Sequence, residues 1–166
     1  MKNRKQIRFK NHDYSQAGYY FVTICVKDRR KVFGRISDGN LQLNSFGEVA
    51  RCLWAQIPTH FDGAQVDVCV VMPEHVHGII ILNDVGNRHA CSLPKKRPYQ
   101  KLPVIVGSYK STVTKEIHKI KGGEKFQWQK SFFEHVIRDE KSLLKIREYM
   151  INNPLAEELI IRGILG

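Results

Sequence analysis

Acidic residues are scarce in this chain. Sixteen Asp and Glu stand against twenty-seven Lys and Arg in 166 residues, a formal charge of +11 with a pI near 9.6. Such an excess disfavours a cationic partner and favours a polyanion, nucleic acid ahead of an anionic membrane surface. Long apolar runs are missing too: residues 66–71 and 78–82 are strand-length, well short of the roughly 18 residues a membrane span needs. The basic start Met1-Lys2-Asn3-Arg4-Lys5-Gln6 is followed by no apolar signal core, so secretion is not expected. Cysteine is sparse, with Cys25, Cys52, Cys69 and Cys91 far apart and no CxxC pair. That spacing speaks against a structural zinc site or a disulfide-stapled scaffold and for a reduced, cytoplasmic protein. No GxxxxGK[ST] and no GxGxxG occurs, so no nucleotide cofactor is expected. What is present is ordinary for a globular domain, 42% apolar and 26% charged residues, and the length suits one domain spanning 1–166.

Residues 1–18 read as a basic arm. Tyr19-Tyr20-Phe21-Val22-Thr23-Ile24-Cys25-Val26 is rich in β-branched and aromatic residues and predicts a first strand buried on both faces. Ser45 and Glu48 have capping-box spacing, and Phe46, Val49, Ala50, Leu53, Trp54 and Ile57 follow at helical period until Pro58. Residues 66–72 and 76–82 predict two strands divided by Pro73-Glu74. A Pro-containing loop over 84–103 leads to a helix over 104–121, closed by Gly122-Gly123. Residues 132–137 predict another strand. Asp139 caps a third helix that ends at Asn152-Asn153-Pro154, and a short C-terminal helix occupies 156–162 within the terminal segment 155–166. The order strand, helix, strand, strand, helix, strand is the split βαβ arrangement. It predicts an α+β, ferredoxin-like sandwich, an antiparallel sheet with helices on one face.

The segment Met72-Pro73-Glu74-His75-Val76-His77-Gly78 carries the most chemical information. On a strand, i and i+2 share a face, so His75 and His77 project together while Val76 faces away. Two neutral imidazoles on one face make a natural pair of metal ligands, although an isolated HxH is more often two surface or packed histidines. On the third helix, Lys145, Tyr149 and Asn153 recur at i, i+4 and share one face. A phenol is a competent nucleophile toward phosphorus once something helps remove its proton. Taken alone, Tyr149 reads more readily as an amphipathic packing residue than as a nucleophile.

The chain resembles the single-tyrosine HUH transposases of bacteria, most closely their REP-associated branch. The resemblance spans almost the whole length. It runs through Gly18-Tyr19-Tyr20-Phe21-Val22-Thr23-Ile24-Cys25, Val71-Met72-Pro73-Glu74-His75-Val76-His77-Gly78 and Val106-Gly107-Ser108-Tyr109-Lys110-Ser111. It continues from Trp128-Gln129-Lys130-Ser131-Phe132-Phe133 to Glu140, and ends at Tyr149-Met150-Ile151-Asn152-Asn153-Pro154. Glu74 departs from the commonest family form, which has Asn there, and adds a carboxylate beside the histidines. The resemblance implies that His75 and His77 hold a divalent cation, Mg²⁺ or Mn²⁺, with Asn153 as a third ligand and Tyr149 as nucleophile. In such enzymes the metal polarises a phosphate of single-stranded DNA, and the tyrosine forms a 5′-phosphotyrosine link and frees a 3′-hydroxyl. Relatives often work as homodimers, and REP-associated members act at hairpins of short palindromic repeats. Two imidazoles among the ligands suit manganese at least as well as magnesium.

The basic residues then have candidate work. Arg4, Lys5 and Arg8 would reach DNA from the arm, while Lys95, Lys96, Arg97, Lys110, Lys115 and Lys119 would track phosphates. Trp128 is open to base stacking, whereas Phe132 reads as core. The alternative to an enzyme is a non-catalytic DNA-binding module on the same scaffold with a vestigial site. A water-using hydrolase built on the HxH pair is a third reading.

Overall fold

The computed structural model describes residues 16–38, 40–83 and 101–161, with side chains omitted at 101 and 155–161. Four strands form one antiparallel sheet in the order β4-β5-β1-β6: β1 is Gly18–Cys25, β4 Ala64–Val71, β5 His75–Leu82 and β6 Phe133–Ile137. A two-stranded ribbon, β2 (Gly34–Ser37) with β3 (Asn40–Leu43), precedes helix α1 (Ser45–Ala55) and the single turn α2 (Ile57–His60). Helix α3 is Lys101–His118 and α4 is Glu140–Ile161. Both crossovers, β1 to β4 through α1 and β5 to β6 through α3, follow the split βαβ order expected from the sequence.

Strand alternation divides the sheet into two faces. Tyr20, Val22 and Ile24 of β1 and Val76, Ile80 and Leu82 of β5 point into the larger core. There they meet Ala50 and Trp54 of α1 and Ile105, Tyr109, Val113 and Ile117 of α3. The Trp54 indole lies over Gly78, where a Cβ would stand 2.0 Å from a ring carbon, so this crossing needs glycine. Phe21, Ile79 and Ile137 point the other way, toward Leu143 and Met150 of α4. Thus α1 and α3 share one face, and α4 lies across the opposite one.

Several local expectations differ from the structure. The ribbon β2–β3 was not predicted as strands; only its Asp38-Gly39-Asn40 turn signal is visible in the sequence. The cap of α1 is Asn44 rather than Ser45, its Oδ1 accepting from the amides of Phe46 (3.0 Å) and Gly47 (3.1 Å). Glu48 instead binds Arg51. Both residue types cap well, and Asn44 wins because its Nδ2 also donates to Val32 O at 2.8 Å, tying the helix start to the incoming chain. Helix α4 does not end at Asn152-Asn153-Pro154 but runs on to Ile161 with Pro154 inside, so the separate C-terminal helix is part of α4. Proline there forfeits one backbone bond, to the carbonyl of fully buried Met150, and the helix tolerates it.

Candidate active site

The β4–β5 connection is pinned before the site begins. Pro73 O accepts from the amides of Val32 (2.8 Å) and Phe33 (3.0 Å), and Glu74 O accepts from Val26 N at 2.9 Å. His75 therefore enters β5 from a fixed point, opposite Cys25 of β1, and His77 stands opposite Thr23. Period 2 does the rest. Val76 is fully buried in the larger core, and the two imidazoles project to the α4 face.

The imidazoles converge. His75 Nε2 and His77 Nε2 are 2.8 Å apart, with ring centroids at 4.3 Å. The other nitrogen of His77, Nδ1, hydrogen-bonds Thr23 Oγ1 at 2.8 Å, which fixes the ring's orientation and leaves Nε2 to face its partner. Phe21 stacks on the same imidazole, centroids 5.4 Å apart. His75 Nδ1 is buried without a hydrogen bond among the described residues, and Glu74 Oε1 lies 3.9 Å from it. That carboxylate is itself held by Arg29 Nη1 at 2.8 Å.

Both rings are buried, which penalises the charged form. Burial, then Arg29, pushes His75 down to about 4, and burial, then His75 and Arg29, pushes His77 down to about 3. Near neutrality each ring is thus uncharged and offers a lone pair. One cation bound to both Nε2 atoms at about 2.1 Å would hold them roughly 3.0–3.4 Å apart, close to the spacing found. The donor set therefore fits a divalent cation. Among the described residues no third His, Cys, Asp or Glu joins the pair. Asn153, half-buried on α4, has a suitable amide oxygen.

Tyr149 comes to this pair from the other side of the α4 seam. Its ring meets His77 edge to face at a centroid distance of 5.8 Å, and 52% of the residue is exposed. A half-exposed phenol against a buried imidazole pair is open to a large substrate, unlike Tyr109, which is buried and spends its hydroxyl on Ala50 O. Asn153 follows one turn later on the same side of the helix.

No family model matches the chain. It is 39% identical over 165 residues to a protein of Haemophilus influenzae (strain Rd) described only as uncharacterized, covering 94% of this chain and 91% of that one. It is 26% identical over 148 residues to a second protein of that strain, provisionally described as a REP-associated tyrosine transposase, covering 86% and 73%. A solved REP-associated tyrosine transposase bound to a REP hairpin shares the fold, with a TM-score of 0.61 at 21% identity over 90% of this chain and 73% of that one. The chain is similar in sequence to one tyrosine transposase and shares the fold of another.

The other predicted residues are scattered. Lys110 and Lys115 lie on α3 and Lys119 in the turn just past its end, across the sheet from the histidines. Lys110 is half-buried, its Nζ donating to Gln129 O (2.6 Å) and Lys130 O (3.3 Å), and burial lowers its pKa. Lys119 pairs with Glu116 at 2.7 Å, and Lys115 is exposed. Arg4, Lys5, Arg8, Lys95, Lys96 and Arg97 lie outside the described residues. Trp128 donates its Nε1–H to Lys110 O and packs among Phe33, Tyr109 and Phe126, a wall of the core. Thr23, Phe21 and Arg29 escaped sequence reasoning. Thr23 and Phe21 reach the histidines through the pairing of β1 with β5, and Arg29 through its bond to Glu74 from the turn after β1, none of which a local spacing signals.

Proposed function

We propose that this chain cuts and rejoins single-stranded DNA, with Tyr149 as nucleophile and His75, His77 and Asn153 holding a divalent cation, Mg²⁺ or Mn²⁺. The observation that carries this reading is the convergence of two neutral imidazole nitrogens beside a half-exposed tyrosine. A metal-dependent phosphodiesterase that used only water would have no need of that phenol.

The bound cation would supply Lewis-acid stabilisation of charge developing on the phosphate. The chain's own residues do the remainder. Thr23 and Phe21 hold His77 in the orientation that aims Nε2 inward, and neutral ligands leave the cation's charge undiminished. The Tyr149 oxygen forms a bond to phosphorus, and the bond to the 3′-oxygen breaks. The phenolic proton goes to solvent, and the departing 3′-oxygen takes up a proton. The phosphodiester energy survives in the 5′-phosphotyrosine, so a 3′-hydroxyl reverses the step without a nucleotide cofactor. The excess of Lys and Arg suits single-stranded or hairpin DNA as partner, and the solved REP-associated transposase is bound to a REP hairpin. Oligomeric state belongs with this proposal: a homodimer is expected, and sedimentation at micromolar concentration tests it.

The decisive experiment incubates the protein with end-labelled hairpin DNA and Mn²⁺ and resolves the products on a denaturing protein gel. A metal-dependent covalent band that vanishes in Tyr149→Phe supports strand transfer. Cleaved DNA without attached protein would mean that water is the nucleophile. Tight binding with neither band nor cleavage over a range of hairpins would mean a DNA-binding module.

A further inference from the structure

Helix α4 has a thin hold on the sheet. Its buried stripe runs Leu143, Ile146, Met150, and the position that completes the i, i+3, i+4, i+7 pattern is Arg147. The surfaces opposite are smooth and β-branched: Ile79, Ile81, Ile137, Val68 and Val70. An apolar stripe on such a surface specifies burial but only weakly specifies register. Arg147 is different. Its Nε and Nη2 both donate to Asp67 Oδ2, at 2.9 and 2.5 Å. Asp67 lies on β4 where the β4–β5 register shifts between Val66 and Cys69, a bulge that re-aims a side chain from the strand. The Asp67 side chain is 19% exposed and that of Arg147 37%, so the pair is only partly open to water.

We propose that the Asp67–Arg147 pair fixes the register of α4 on the sheet and so positions Tyr149 against His77. The pair acts through Tyr149 and touches neither phosphate nor ligand nitrogen; both members are positioning residues. The inference rests on Tyr149 being the nucleophile. A slip of one residue along α4 would move the phenol about 1.5 Å and turn it about 100°. Displacements of about 1 Å cost on the order of 10²-fold in a reaction that relies on alignment. A partly buried polar pair suits that task better than another leucine, because it is satisfied in one geometry only.

Two readouts test it. The edge-to-face contact makes the Tyr149 ring current a marker of helix position on the imidazole proton resonances of His77, measured with a chelator present, with Tyr149→Leu as the reference. Asp67→Asn and Arg147→Lys should move those resonances toward the reference. The exchange Asp67→Arg with Arg147→Asp should move them back. In single-turnover reactions at saturating hairpin DNA with Mn²⁺, adduct formation should slow about 10- to 100-fold, with DNA affinity within about twofold of wild type. His77 resonances unchanged in folded Asp67→Asn and Arg147→Lys would overturn the proposal. So would a loss confined to DNA affinity. A wild-type protein that forms no adduct would sink the strand-transfer reading, and the His77 resonances would still decide the fate of the pair.

Discussion

The two faces of the sheet are built from the same strands to different specifications. The face under α1 and α3 is mostly apolar and sealed: Val22, Ile24, Val76, Ile80, Val113 and Ile117 are wholly buried and Trp54 presses onto Gly78, although Glu134, paired with Val22, is buried there too. The face under α4 is thinner. It interleaves Phe21, Ile79 and Met150 with His75, His77 and Thr23, and it leaves Tyr149 half in water. One face therefore supplies rigidity, and the other spends that rigidity in holding buried polar groups at fixed separations. Buried imidazoles are costly on their own, and a site of this kind depends on a scaffold made stable elsewhere.

The contrast yields tests of decreasing size. Tyr149→Phe should lower covalent adduct formation on the order of 10⁴-fold or more, as loss of a nucleophile does elsewhere, without changing the melting temperature beyond error. Trp54→Ala, on the opposite face, should do the reverse. It should cost about 3–5 kcal/mol of stability, read in urea unfolding, and the protein that stays folded should keep its Mn²⁺ affinity. Equal losses of stability from the two variants would erase the distinction between the faces.

Thr23→Val removes the hydroxyl that orients His77 while keeping its shape. Mn²⁺ affinity, measured by calorimetry, should fall about 10- to 100-fold with little change in fold. An unchanged affinity would show that strand pairing alone orients the ring.

The smallest effect concerns acid. Both histidines titrate lower when folded, at about 4 and 3, than the ordinary 6.5. Below pH 6.5 the unfolded chain therefore takes up protons that the folded chain refuses, and stability must fall with pH down to the folded values. Metal-free protein should lose several degrees of melting temperature between pH 6.5 and 4, and His75→Gln with His77→Gln should flatten that slope. A steeper slope in the double variant would contradict burial of the neutral pair.

Much of this was legible beforehand because it depends on local periodicity. Period 2 along residues 75–82 puts both histidines on one face and Val76 and Ile80 on the other whatever the rest of the chain does. Helical period likewise places Asn153 one turn beyond Tyr149. Other features were not legible. Asn44 and Ser45 are adjacent capping residues, and the bond from Asn44 to Val32 O that selects the first exists only when the chain is folded. Pro154 reads as a helix stop by local rules, yet burial of Met150 outweighs one lost bond. Arg147 looks like a solvated helix cation until the β4 bulge brings Asp67 to it.

The sequence by itself determined the alternation of strands and helices, the charge that suits a polyanion, and the shared face of His75 and His77. Each is a property of neighbours within a few residues, where bond geometry leaves little choice. Only the tertiary structure decided that α4 covers the opposite face from α1 and α3, and that Thr23 and Phe21 orient His77. It alone set Tyr149 against that ring. Thr23 stands 54 positions from His77, and Phe21 and Tyr149 stand further from it still; such meetings are settled by strand register and by which apolar surfaces found each other, and no local pattern encodes them.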